Sequence, residues 1–280
     1  MMPALPLPIL DHVVVNLRER IDDGEAAYRR LGFTLTPRGF HTLGSSNHLA
    51  VFGTDYLELI SAPASAAGRQ EILAAPEGLN AIVFATEDSA TTYATLQAAG
   101  LPVGPPLEFS RPVGLPQGSR DAVFRNVRLL PGPGAPGRLY FCHHFTRDLV
   151  WRDEWRHHPN GALGVVRTVI ASRDPGVLGT LFSRMFGAEM VRTGPGGCTL
   201  LLGLARCEVT TPAAVRAAFA DAAPPDDGRS EFMAVLTLRT HSLDRAAAAL
   251  AAGGVTARRE ADRILVPATA AFGVTLEFVA

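Results

Sequence analysis

The chain has 280 residues, 47% of them hydrophobic, and a formal net charge of −1 at pH 7. It is long enough for two domains and ordinary in composition for a globular protein. No basic stripe marks a nucleic-acid surface, no apolar run approaches the roughly 18 residues of a membrane helix, and all 26 basic residues are Arg, which excludes a Schiff-base or phosphate-loop lysine.

Strand and helix signals then repeat along the chain. The opening Met1-Met2-Pro3-Ala4-Leu5-Pro6-Leu7-Pro8 has no basic segment and is broken by prolines, so it does not read as a signal peptide. The first unit starts with a strand over 10–15. A helix follows, with Asp22 or Asp23 as N-cap and Gly32 past its end. Short strands over 33–36, 48–52 and 56–60 complete it. The second unit starts with a strand over 79–84, has a helix from Asp88 to Gly100, and continues with strands over 122–130 and 138–145. Between those two strands, residues 132–137 read as a flexible Gly/Pro loop.

The third unit has a strand over 165–171. Asp174-Pro175 gives an N-cap followed by proline at the first helical position. Leu178, Leu181, Phe182 and Met185 form that helix's buried stripe, and Gly187 stops it. Strands over 199–202 and 206–210 follow, after a hairpin turn at Gly194-Pro195-Gly196-Gly197. A Pro/Asp/Gly-rich surface loop spans 222–230. The fourth unit has a strand over 232–238, a helix from the Ser242 cap to Gly253, and strands over 263–266 and 274–279. The pattern is βαβββ four times, at roughly 70-residue spacing. A segment carrying both tryptophans, Trp151 and Trp155, separates units two and three. The natural division is two domains, 1–150 and 151–280. The two tryptophans, four residues apart, are expected to staple them through one helical face.

Ionisable residues inside apolar strands single out a site. Glu58 lies in Tyr56-Leu57-Glu58-Leu59-Ile60, and His12 in Leu10-Asp11-His12-Val13-Val14-Val15. Burying such groups is costly unless they are paired or bind a metal. The carboxylate recurs as Glu208 and Glu277; the histidine does not. His48 sits on a middle strand, and alternation decides whether it faces the same way. His143 and His144 are adjacent on a strand, so only one of them can share a face with Glu58. His41 and Asn47 belong to a segment over the expected cavity mouth. In the tryptophan segment, His158 and Asn160, or Arg152 and Arg156, are candidates for contact with an anion bound at the domain interface. The cysteines Cys142, Cys198 and Cys207 are too few and too irregularly spaced for a disulfide framework, and a reducing cytoplasm fits.

A βαβββ repeat with His12 on its first strand and Glu58 on its last resembles the vicinal oxygen chelate superfamily. That group includes glyoxalase I, extradiol dioxygenases and bleomycin-resistance proteins. The stretch from Leu10-Asp11-His12 through Leu31-Gly32-Phe33 and Asn47-His48-Leu49 to Tyr56-Leu57-Glu58-Leu59 is most similar to its glyoxalase-like branch. The resemblance implies an α+β fold: four βαβββ modules paired into two incomplete, curved mixed-sheet barrels with helices outside. It also implies a divalent metal (Zn, Fe, Mn, Ni or Co) held by His12, Glu58 and one of His48, His143 or His144. Glu58 and His48 are then the catalytic residues, and Asn47, His41, His158 and Asn160 the substrate-binding ones. The implied activity is lyase or isomerase chemistry on a small carbonyl compound, in the cytoplasm, with a small-molecule substrate as partner and a homodimer allowed for. The matching first-strand position of unit two falls at Ala81, which cannot ligate. In units three and four it falls at Thr168 and at Ala234 or Thr237, so the second half is expected to be metal-free. Those gaps favour the alternative, a metal-free binding protein of bleomycin-resistance type. An extradiol-type dioxygenase ranks last.

Overall fold

The computed structural model describes residues 5–132 and 135–280. The first four residues of the opening segment, and Pro133 and Gly134 of the predicted Gly/Pro loop, lie outside them. The first sheet comprises β1 (Leu10–Asn16), β2 (Gly39–Phe40), β3 (Ser46–Val51), β4 (Tyr56–Ser61), β5 (Gly78–Ala85), β6 (Leu107–Leu115), β7 (Gly118–Arg128) and β8 (Arg138–His144). Its order is β2-β3-β4-β1-β5-β8-β7-β6. β1 pairs parallel with β4, and β5 with β8. The two halves of the sheet meet through the antiparallel pair β1–β5.

The sheet curls until its edges touch. Thr42 N donates to Ser110 O at 2.9 Å, and Ser110 N to Thr42 Oγ1 at 3.2 Å. The second sheet repeats the plan with β9 (Ala162–Ser172), β10 (Val191–Gly194), β11 (Gly197–Leu202), β12 (Ala205–Thr210), β13 (Glu231–Thr240), β14 (Arg258–Arg259), β15 (Arg263–Val266) and β16 (Thr275–Val279), in the order β10-β11-β12-β9-β13-β16-β15-β14. The fold is therefore α+β, four βαβββ modules paired into two curved sheets, as the sequence predicts.

Alternation along the strands separates two environments. Val13, Val15, Leu57, Leu59, Ile82 and Phe84 point outward, into one core shared by both sheets and their helices. There Phe33 stacks on Phe278 with ring centroids 6.3 Å apart, and Phe84 meets Phe186 at 5.1 Å. Val14, Tyr56, Ile60, Ala81, Val83 and Tyr140 point into the first barrel.

The helices α1 (Ile21–Arg30), α3 (Ser89–Ala98), α4 (Pro175–Phe186) and α6 (Leu243–Ala252) begin close to where capping chemistry puts them. Asp88, Asp174 and Ser242 accept backbone N–H bonds as N-caps. α1 is different: its N-cap is Arg20, and Asp22 and Asp23 lie in the first turn, where acids favour the helix dipole. A four-residue helix, α2 (Gln70–Leu73), and the Thr211-capped α5 (Pro212–Phe219) are additions to the predicted set.

The structure corrects three further expectations. Residues 33–36 are irregular, and the short edge strand lies instead at Gly39–Phe40. β6 goes unforeseen because Pro112 interrupts its apolar pattern; as an edge strand it can spare that N–H. The tryptophan segment is not one helix but two separate 3₁₀ turns, Arg147–Leu149 and Asp153–Trp155. Trp151 and Trp155 pack into the first barrel's interior cluster, so they plug that barrel rather than staple the two sheets together.

The halves also meet through Asp55, in the β3–β4 turn, whose Oδ1 accepts from Val165 N of β9 at 2.9 Å. Burial pushes its carboxyl up to about 7, against the Val165 and Thr54 hydrogen bonds. A carboxyl whose folded pKa is raised loses stabilisation as pH climbs from its unfolded value near 3.9 to the folded one. Asp55→Asn keeps an acceptor without the charge. It is expected to raise the melting temperature by a few degrees at pH 8 and much less at pH 4, measured by thermal unfolding across that range.

Candidate active site

A cavity of about 200 Å³ occupies the first barrel. Its lining includes His12 of β1, Asn47 of β3, Tyr56 and Glu58 of β4, and Tyr140 and Cys142 of β8. His41, in the turn before β3, also lines it.

His12 is held on two sides. A register shift between Leu10 and His12 bends β1 against β5, and such bulges re-aim side chains. Asp11, the next residue along the strand, thereby reaches the ring: His12 Nδ1 donates to Asp11 Oδ1 at 2.5 Å. His144 Nε2 lies 3.0 Å from the same oxygen. The His12 ring stacks on Tyr56, its cross-strand neighbour, with centroids 4.3 Å apart and planes 12° from parallel. Trp151 packs edge-on against Tyr56 and His144 at 5.4 and 5.0 Å. Burial alone would raise the Asp11 carboxyl, but His144 and His12 outweigh it and hold it well below the usual carboxylate range. Asp11 is thus an anion that accepts from both rings. It leaves His12 Nε2 to face the cavity, 3.8 Å from Glu58 Oε2 and 3.3 Å from the Tyr140 hydroxyl.

Glu58 is equally fixed. Its Oε1 accepts from Asn47 Nδ2 at 2.6 Å. Asn47 also reaches His41 Nε2 at 3.3 Å, and His41 Nδ1 lies 2.9 Å from Ser45 Oγ. Burial lowers His41 to about 4, so this ring is neutral near pH 7. Burial would raise Glu58, but His12, His41 and the Asn47 bond together hold it below the ordinary glutamate value. The cavity therefore contains a buried, ionised carboxylate. Tyr140 and Cys142 are pushed up by burial and stay protonated.

The candidate residues divide by face. His12, Glu58, Asn47 and His41 meet in the cavity. His48 points to the outer face, where Nδ1 bonds Thr36 O at 2.8 Å and Nε2 lies 3.2 Å from Glu25. His143 also faces outward, 3.5 Å from Ser89 Oγ. His144 faces inward, but toward Asp11 and not the cavity lining. His158 and Asn160 hold the inter-sheet segment to α1 and β3. His158 takes a bond from Thr34 N and donates to Val51 O, and Asn160 bonds the Leu31 and Gly32 carbonyls. Sequence reasoning overlooked Asp11, hidden beside the more conspicuous His12, and the arginines of the lining, Arg69, Arg111, Arg128 and Arg138. For Arg138 the available signal was a charged residue inside the last strand of unit two, two residues before Tyr140 and at the level of Tyr56 in unit one.

The other modules become comparable through strand register. His12 pairs with Tyr56, two residues before Glu58. The same level in unit two is Ala81, opposite Arg138. In unit three it is Arg167, opposite Arg206, rather than Thr168. In unit four it is Val235, opposite Thr275, rather than Ala234 or Thr237. Arg167 fills the histidine's place with ion pairs to Glu208 at 3.0 Å and Glu277 at 2.6 Å.

Two sets of donors could hold a metal, and both centre on His12. Asp11, His12 and His144 present ligand-type atoms within 4.8 Å of one another, a mixed nitrogen and carboxylate set suited to divalent first-row ions. Asp11 Oδ2 and His144 Nδ1 have no hydrogen-bond partner among the described residues. On the cavity side, the 3.8 Å between His12 Nε2 and Glu58 Oε2 is a gap that two ligands about 2.0–2.2 Å from one ion can span. Of the two sets, the second has both members in the cavity lining.

Residues 10–186 match the glyoxalase-like domain family, and the chain belongs to it. No functionally curated protein matches the sequence. Among solved structures, a hypothetical protein from Staphylococcus aureus superposes with a TM-score of 0.69 at 10% identity, over 97% of this chain and 99% of that one. A mutant of 4-hydroxymandelate synthase from Streptomyces coelicolor gives 0.57 at 10% identity, over 98% and 93%. A xylose isomerase-like TIM barrel/4-hydroxyphenylpyruvate dioxygenase fusion protein gives 0.58 at 14% identity, over all of this chain and 50% of its own. At these identities the likeness is one of fold.

Because the folded Asp11 carboxyl is depressed, its stabilisation is complete above its unfolded value near 3.9 and is lost as pH falls below that. Asp11→Asn is therefore expected to lower the melting temperature at pH 7 by several degrees. Its melting temperature should also fall less than that of the wild type between pH 5 and pH 3. Thermal unfolding followed by near-UV circular dichroism at each pH measures both.

Proposed function

We propose that the chain is a glyoxalase-like enzyme that moves a proton on a small, oxygen-rich carbonyl compound bound in the N-terminal barrel. The observation that carries this reading is the ionised, buried Glu58, 3.8 Å from a histidine nitrogen whose opposite nitrogen is tied to Asp11. Glu58 Oε1 is engaged by Asn47, so Oε2 is the oxygen available to take a proton from carbon beside a carbonyl. His12 Nε2 faces the cavity while Nδ1 is tied to Asp11, which places it to carry a proton between substrate atoms. The protonated Tyr140 hydroxyl supplies a donor to oxygen charge developing in the transition state. His12 and Glu58 are the cavity residues that would hold a divalent ion, which when bound would polarise a substrate oxygen. Residues 1–150 carry the site in this reading, and 151–280 buttress it.

A second reading, a metal-free binding protein, is favoured by one observation. Unit two offers Ala81 and Tyr140 at the levels where unit one has His12 and Glu58, so at those two levels it adds no carboxylate or imidazole ligand.

The test is turnover of small 2-oxo and 2-hydroxycarbonyl compounds by protein dialysed against chelator and reloaded separately with Zn, Mn or Fe(II). Glu58→Gln and His12→Ala are expected to lose about 100-fold or more in kcat, the usual span of acid–base catalysis, with unchanged circular dichroism. His48→Gln, on the outer face, should stay close to wild type. Since Glu58 is held below 4.5, the acid limb of kcat/KM should fall below that pH. Wild-type turnover by Glu58→Gln would sink the enzymatic reading. Ligand binding without turnover in any metal form would leave the binding protein.

A further inference from the structure

Among the described residues, four guanidiniums line the N-terminal cavity, from Arg69, Arg111, Arg128 and Arg138, against two carboxylates, Glu58 and Glu71. Glu71 is taken by Arg69 at 3.3 Å and Arg128 at 3.8 Å. Glu58 is engaged by Asn47 and faces His12. Arg138 donates through Nε to Asn80 at 2.9 Å, and its Nη2 finds no acceptor. Arg111 is left over. It is 3% exposed, no carboxylate of the described residues lies within 4 Å of it, and its Nε and Nη2 have no hydrogen-bond partner.

A buried cation without a counter-ion is unfavourable, and natural interiors avoid it. The fold nevertheless makes room for this one. A side chain at Gly39 of β2 would bring its Cβ within 2.8 Å of Arg111 Cδ and 2.5 Å of Asn47 Oδ1, so glycine there leaves the guanidinium its place beside Asn47. Nε and Nη2 together form one edge of the guanidinium, two parallel N–H bonds spaced to match the two oxygens of a carboxylate. Arg69 Nε and Arg138 Nη2 are further unused donors on the same lining.

We infer that the substrate is a small organic carboxylate, and that Arg111 binds its acid group bidentately, with Arg69 and Arg138 supplying further positive charge. This rests on reading the N-terminal cavity as the substrate site, and it sets that substrate's chemical class. Asn47 links the two ends of the cavity, since it touches Glu58 and flanks Arg111. The acid group and the carbon handled by Glu58 therefore belong to one compact molecule, in keeping with the small cavity. Arg111 is a specificity residue in this account, and the anion it holds neutralises the charge that burial leaves exposed to no partner.

The experiment is thermal shift and calorimetric titration of the full chain with pyruvate, benzoate and malonate, with the amides pyruvamide and benzamide, and with inorganic phosphate. Ligands that bind the native state raise its melting temperature. Wild type should respond to the acids and not to their amides. Arg111→Met should lose at least tenfold in acid affinity yet melt higher than wild type without ligand, because it removes an unpaired buried charge. Arg111→Lys should keep a weakened preference for acids, having charge without the fork. His12→Ala should still bind acids, so loss of turnover there and loss of acid binding at Arg111 are separate failures. The inference is overturned if amides bind as well as acids, if no acid acts at millimolar concentration, if phosphate alone shifts the protein, or if Arg111→Met keeps the acid preference and merely melts lower.

Discussion

Strand alternation, imposed on a sheet curled until β2 and β6 touch, decides which ionisable groups share a cavity. Residues two apart face the same way, so His12 and Val14 of β1, Tyr56 and Glu58 of β4, and Tyr140 and Cys142 of β8 all converge inside. The intervening residues build the core between the two sheets. A slip of one residue would exchange the two sets entirely, which ties the site to the stability of the core. The same rule points His48 away from the cavity and turns His143 outward, while His144, the next residue, reaches Asp11. One bulge in β1 relaxes the rule locally and lets adjacent residues, Asp11 and His12, bond side chain to side chain.

The two barrels solve the problem of buried charge differently. In the second, Arg167 stands at the level of His12 and is clamped between Glu208 and Glu277, while Arg263 adds a contact to Glu277 at 3.1 Å. Thr237 donates to the same carboxylate, and the apolar cluster of Phe219, Phe232 and Leu265 covers the interior. Charge there is matched within the fold. In the first barrel, Glu58 faces a histidine and Arg111 faces no carboxylate among the described residues. One scaffold thus closes its interior in one copy and leaves it incomplete in the other, and incomplete pairing is what a ligand can complete.

The repeat was legible in the sequence because its punctuation is local. Asp88, Asp174-Pro175 and Ser242 act through hydrogen bonds to residues two or three further on, so no tertiary knowledge is needed to read them. His12 and Glu58 stood out for the same reason, as charges inside apolar runs. What escaped depends on contacts distant in sequence. β6 carries a proline and is recognisable as a strand only through its partner β7. The level of Thr168 against Arg167 differs by one residue and is fixed only by pairing with β12. Arg111 looks like any surface arginine until β6 closes against β2. Trp151 and Trp155 share a helical spacing, but their segment folds as two short turns over the barrel's end.

Tyr140 bears most directly on how His12 can act. Asp11 fixes the imidazole proton on Nδ1, so the Nε2 lone pair is the ring's one free acceptor, and the Tyr140 hydroxyl, protonated because it is buried, is the group placed to donate to it at 3.3 Å. At the same level of unit one stands a carboxylate, Glu58, which can ligate a cation; a neutral phenol serves as a donor instead. An ion at His12 would have to displace the Tyr140 bond, whereas a substrate proton passing to His12 needs only that the hydroxyl turn toward the oxygen left behind. In the proposed reading, the second module's tyrosine would bias a pair that could serve either chemistry toward proton transfer, through one hydrogen bond rather than through any change in the backbone that positions the pair.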